Sequence, residues 1–215
     1  MNKFCRLGAA LVLGASMLTS LSGCFGLAVG SAVMAGMAAS DRRTLGAQTE
    51  DSAIGVKSEV RVGKLVGDEG HVNITSFNRR ALLTGEVKDD ATRAAVAREV
   101  AAIEGVLSVT NELTIAGPSS YTARSNDTLI TGRVKAALVD TKDIFANSFK
   151  ITTEQGVVFL MGRVTQREGD LATEAVRSVS GVQKVVKVFE YISEGELQQL
   201  TPAPAQNLAT PPAQP

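Results

Sequence analysis

The stretch Thr152-Thr153-Glu154-Gln155-Gly156-Val157-Val158-Phe159-Leu160-Met161-Gly162, entered through Phe149-Lys150-Ile151, reads as a β-hairpin: two β-forming runs around a Gln-Gly turn, the second closed by glycine. The same pattern occurs once before. Val72-Asn73-Ile74-Thr75 precedes a turn at Asn78-Arg79-Arg80, and Ala81-Leu82-Leu83-Thr84-Gly85 again ends on glycine. Downstream, Glu104-Gly105-Val106 and Ser180-Gly181-Val182 introduce the alternating segments 109–115 and 185–191. Gly85 and Gly162 stand 77 residues apart, and Gly105 and Gly181 stand 76 apart. Self-similarity at a fixed offset means two copies of one supersecondary unit in tandem.

Working outward from the hairpins, Ile130, Val134, Ala137 and Leu138 recur at helical spacing behind Ser125-Asn126-Asp127, a group suited to an N-cap. In the first copy Ile54, Val62 and Val66 share a helical face, while Gly55, Gly63 and Gly67 each weaken the helix by up to about 1 kcal/mol. A second helix follows Asp89-Asp90, with Val96, Val100 and Ile103 inward; the two acids suit its N-terminus better than acid–base chemistry. Its counterpart follows Thr165-Gln166-Arg167-Glu168, a capping-box pattern, and buries Ala172, Ala175, Val176 and Val179. Gly105 and Gly181 are expected to end these helices as left-handed caps, and Gly85 and Gly162 to serve the backbone at the strand ends.

Helix, hairpin, helix, strand makes each unit an α+β layer pair: a small three-stranded sheet covered on one face by two helices, both of which carry an apolar stripe needing a partner. The units are expected at 51–116 and 124–192, joined by a linker at 117–123 that contains Gly117-Pro118-Ser119-Ser120. Cores of this size are small, which favours contact between the units.

The chain ends differ in kind from the units. Lys3 and Arg6 precede an apolar run at 7–18, the pattern of a signal peptide, expected over 1–23. Leu21-Ser22-Gly23-Cys24 then resembles the lipobox of bacterial lipoproteins, which implies lipidation (palmitate) of Cys24 and, with Phe25 following, sorting to the outer membrane facing the periplasm. The Gly/Ala-rich segment 25–39 is shorter than the roughly 20 residues of a membrane span and is expected to be tether, within a region 24–50. Five of the six prolines and no charge fall in 201–215, so a disordered tail is expected over 193–215.

Composition narrows the chemistry. Hydrophobic content of 44% excludes disorder of the whole chain, and 22 basic against 22 acidic residues argues against a general nucleic-acid binder, which needs a basic surface. Cys5 and Cys24 precede the repeats, and His71 lacks converging ligands, so no metal site, cofactor or catalytic constellation is expected. Charge is uneven between the units: 51–116 holds 8 basic and 10 acidic residues, 124–192 holds 10 and 8. On the first helix of the second unit, Leu129, Arg133, Lys135, Ala136 and Val139 face outward, an apolar and basic surface. Helical spacing alone leaves two readings of it, a solvated face or a face lying on a bilayer.

The strand-ending glycines Gly85 and Gly162 and the later Gly-Val pairs resemble the BON domain, and the resemblance covers nearly all of 51–192. The lipobox, the two units, and the runs Asp41-Arg42-Arg43-Thr44-Leu45-Gly46 and Asn126-Asp127-Thr128-Leu129-Ile130-Thr131 are similar to those of dual-BON outer-membrane lipoproteins. That resemblance implies a non-enzymatic, lipid-anchored periplasmic protein that binds anionic phospholipids (phosphatidylglycerol, cardiolipin) through the five outward residues of the second unit. It further implies upkeep of membrane integrity at cell-division sites. The alternative is an interaction scaffold whose partners are outer-membrane assembly machinery or cell-wall amidase regulators.

Overall fold

The computed structural model describes residues 41–200. The first domain is built from α1 (Leu45–Val66), β1 (His71–Phe77), β2 (Arg80–Val87), α2 (Asp90–Ala101), β3 (Ser108–Asn111) and β4 (Thr114–Ile115). The second repeats it with α3 (Tyr121–Asp140), β5 (Phe149–Glu154), β6 (Val157–Val164), α4 (Gln166–Arg177) and β7 (Lys184–Tyr191), and α5 (Glu194–Leu200) follows. In each sheet the hairpin pairs antiparallel and the last strand adds parallel to the central one, across the second helix.

Alternation along the central strands decides what each sheet face does. Ala81, Leu83 and Val87 turn toward α1 and α2 and join Val62, Val66, Val96 and Val100 in one core. Val158, Leu160 and Val164 do the same with Ile130, Val134, Leu138, Ala172 and Val176. The residues between them point to the other face, where Phe77 and Leu82 pack on Phe159 and Met161. The two sheets thus stand back to back, and the order of layers is helices, sheet, sheet, helices.

Several expected boundaries shift. α1 starts at Leu45, inside the region expected to be tether, because the Thr44 hydroxyl accepts from the Ala47 N–H at 3.1 Å and caps it. The linker shortens at its far end, since Ser120 caps α3 by accepting from Ala123 N–H at 3.2 Å. The expected cap group, Ser125 to Asp127, lies inside that helix. Gly105 and Gly181 take φ of +95° and +97°, yet the helices end earlier, at Ala102 and Ser178, and both glycines turn the chain toward the last strand instead. The tail is ordered through α5, where Glu196 pairs with Arg163 at 2.7 Å. The last strand of the first domain is broken between β3 and β4, where Leu113 tucks into the core at 3% exposure. Cys24, segment 25–39 and residues 201–215 lie outside the described residues.

Candidate functional site

The candidate surface is built on α3. Asp127, Ile130, Val134 and Leu138 fix one side of the helix in the core, which turns the other outward. There Leu129 is 60% and Val139 69% exposed, with Ala136 also exposed between them. Leu129, Ala136 and Val139 follow at i, i+7 and i+10, one apolar strip along the helix. Arg133 and Lys135 are separated by about 200° around the axis and therefore border the apolar row from opposite sides. The Arg133 Nη1 also donates to the Ser180 carbonyl at 3.3 Å, so part of its guanidinium is held at the edge of the domain. The structure thus presents all five predicted residues to solvent, but as an apolar row with two separated cations.

Two strand glycines work by different means. Gly85 takes φ +108°, and a Cβ there would meet the His71 carbonyl oxygen at 2.1 Å. Gly162 has no such dihedral; its need is space, since a Cβ would stand 2.6 Å from the Ser148 carbonyl oxygen.

The residues that sequence reasoning missed are buried carboxylates. Asp51 in α1 accepts from the N–H groups of Asn78 and Arg79, each at 2.7 Å, and Asp127 in α3 accepts from Gln155 and Gly156 at 2.9 and 2.8 Å. The two acids are 76 residues apart, the offset of the repeat, and that spacing was the signal that could have found them. Glu86, fully buried on β2, accepts from the Gln155 side chain and from Ser119 N–H. Arg42 reaches across to the second domain, forking onto both carboxylate oxygens of Glu168 at 2.8 and 2.6 Å and donating to the Arg163 carbonyl. Burial pulls the Glu168 carboxyl up, but the bonds from Arg42 and the Thr165 N–H outweigh it and hold the pKa below the usual range.

Between the edges of β1 and β5 lies a polar cleft of about 360 Å³ whose lining includes His71, Thr75, Arg124, Asp127, Lys150 and Glu154. Thr75 and Thr152 hydroxyls bridge its floor at 2.9 Å. Burial, with the charges of Glu86 and Asp127, pushes the Glu154 carboxyl up to about 7. Burial and the neighbouring Arg124 lower the pKa of His71, whose Nδ1 lies 3.5 Å from the guanidinium. Among the described residues no three His, Cys, Asp or Glu side chains gather as a metal site, and no helix is long and apolar enough to cross a membrane.

The model of the family described as BON domain matches residues 55–117 and 126–193. The outer membrane lipoprotein DolP of Haemophilus influenzae is 36% identical over 185 residues, covering 85% of this chain and 95% of that protein. A 21 kDa hemolysin of Actinobacillus pleuropneumoniae is 29% identical over 71% of this chain and 79% of its own length. The osmotically-inducible protein Y of Escherichia coli K12 is 28% identical over 53% of this chain and 58% of its own.

Proposed function

The chain belongs to the BON-domain family, with two BON domains in tandem, and from that premise and its likeness to the outer membrane lipoprotein DolP we propose that it is a non-enzymatic lipoprotein anchored in the outer membrane through Cys24. Its second BON domain then makes a reversible contact with anionic phospholipid, phosphatidylglycerol or cardiolipin, and the pair of attachments supports outer-membrane integrity at division sites. The observation that carries the reading is the outward row of α3, where Leu129 and Val139 lie open to solvent between Arg133 and Lys135.

The physical case is additive. Acyl chains on Cys24 would hold the chain at the membrane, and an amphipathic face adds a weaker, reversible and headgroup-sensitive contact. Apolar side chains enter the headgroup boundary, and each cation close to an anionic surface contributes about 1 kcal/mol.

The test is cosedimentation with phosphatidylglycerol vesicles at low salt. Arg133→Glu with Lys135→Glu removes two cations and adds two anions; it leaves Ile130, Val134 and Leu138 in place and gives up only the exposed bond from Arg133 to the Ser180 carbonyl, so the fold is retained. At about 1 kcal/mol per charge, binding should fall by well over tenfold. Unaltered cosedimentation would move the scaffold reading, with assembly or cell-wall factors as partners, ahead of this one.

A further inference from the structure

The first helix of the first BON domain carries a surface that its domain's negative balance conceals. Asp51, Ile54, Ser58, Val62 and Val66 bury one side of α1. The opposite side leaves Leu45 74%, Val56 64% and Val60 55% exposed, an apolar row with no partner among the described residues. Along its border run Lys57, Arg61 and Lys64, at i, i+4 and i+7, all exposed. No ion pair engages any of the three among the described residues, although Glu50 of the same helix is paired with Arg79 at 2.9 Å. Glu59 stands two residues from Lys57 and Arg61 and so projects away from their row.

We propose that this face of α1 is a second phospholipid-contacting surface, which lies on the bilayer that anchors the chain. Three features of this face select a lipid surface over a protein partner. The row is bordered on one side by three unpaired cations, the arrangement of an interfacial helix over anionic headgroups. It contains no Trp, Tyr or Phe to serve as the buried anchor of a protein interface, and lysines, which such interfaces exclude from their centres, stand next to it. Finally, Leu45 stands 21 residues after Cys24, so on the anchored reading the tether delivers the chain to the membrane at this end of α1. The inference rests on that anchored reading, and not on contact through α3.

The repeat and the layer order give the proposal its consequence. With the 76-residue offset, Lys57 falls on Arg133 and Val60 on Ala136, but Lys64 falls on Asp140 and Glu59 on Lys135, so the two domains present the same side of the helix with different charges along it. Because the sheets pack back to back, α1 and α3 lie in opposite outer layers. A flat bilayer takes one face at a time, and anchored molecules divide between two seatings or bridge two surfaces.

Lysine footprinting on the full-length chain tests this. The chain is reconstituted in phosphatidylcholine vesicles with or without phosphatidylglycerol, treated with an amine-reactive reagent, and read by mass spectrometry at Lys57, Lys64, Lys135 and the exposed control Lys184. Phosphatidylglycerol should slow Lys57 and Lys64, about twofold if the two seatings are equally filled and more if molecules bridge two surfaces, while Lys184 is unchanged, and high salt or Val56→Ser with Val60→Ser should restore their rates. Lys57 and Lys64 rates indifferent to phosphatidylglycerol while Lys135 slows would overturn the proposal and leave the α3 reading standing. Slowing at Lys57 and Lys64 with Lys135 unchanged would support it and remove α3 instead. Slowing that tracks protein concentration without phosphatidylglycerol would mean a second copy covers the face, and the proposal fails.

Discussion

At the residue scale the most consequential groups are Asp51 and Asp127. Each hairpin turns through two residues with positive φ, Asn78 and Arg79 in the first domain (+49° and +65°), Gln155 and Gly156 in the second (+50° and +74°). This is the turn whose twist matches a hairpin, but it is normally supplied by Asn-Gly or Gly-Gly. Left-handed dihedrals at Arg79 and Gln155 cost on the order of 1 kcal/mol or more each. A carboxylate from the preceding helix offsets that cost by accepting both turn N–H groups, and it ties the hairpin to the helix. Asp127→Ala should therefore lower stability by roughly 2 to 4 kcal/mol in urea denaturation, because two charge-assisted bonds vanish and two sheltered donors are left unmet. Asp127→Asn, which keeps one acceptor oxygen, should fall between. If Asp127→Ala unfolds with the wild-type midpoint, the turn holds itself and the aspartate is incidental.

At the element scale the candidate helix shows what binds and why part of it was readable. Leu129→Ser removes an apolar contact without altering charge, so it should weaken binding to phosphatidylglycerol vesicles by a similar factor at low and high salt. The Arg133 and Lys135 reversal should lose its effect as salt shortens the screening length to a few ångströms. A Leu129→Ser loss that disappears at high salt would mean the leucine acts by positioning the cations instead. The row was legible because Ile130, Val134 and Leu138 recur at helical spacing, and whatever they leave over must face out. The start of the helix was not, because its first two turns, from Tyr121 to Thr128, are mostly exposed and polar and carry no apolar period; only the Ser120 cap marks it. The same holds for Thr44 and α1. The layered α+β domains and the helix stripes could be read from spacing and repeat, and the BON family from resemblance to its glycine pattern. The break at Leu113 depends on how one side chain fills the core, and a pair such as Arg42 and Glu168, 126 residues apart, leaves no local pattern to read.

At the scale of the whole molecule two small domains are held back to back by few apolar side chains, and buried charge decides how firmly. Arg42 and Glu168 have side chains only 6% and 7% exposed. Removing one partner strands the other charge, so Arg42→Ala should cost about 3 kcal/mol at neutral pH. The Glu168 pKa is depressed in the folded state, so its contribution is present above the unfolded value of 4.5 and is lost as pH falls through the folded one; the cost of Arg42→Ala should fade in that acid range. Glu154 acts in the opposite sense and in a different window. Its folded pKa is raised from 4.5 to about 7 by burial and then by the charges of Glu86 and Asp127, with Arg124 opposing. The folded state therefore binds this proton more tightly than the unfolded chain. Stability from this group is full below pH 4.5 and is lost as pH rises through about 7, by up to about 3 kcal/mol for a shift of this size. Glu154→Gln keeps the shape of the protonated side chain and cannot ionise. In denaturation series at pH 5 and pH 8, the variant should unfold near the wild-type midpoint at the lower pH and above it at the higher, with a flatter profile between. Wild-type and variant curves that run parallel across this window would show that Glu154 stays ionised in the folded cleft, with Arg124 and Lys150 sufficient to hold its charge between the two domains.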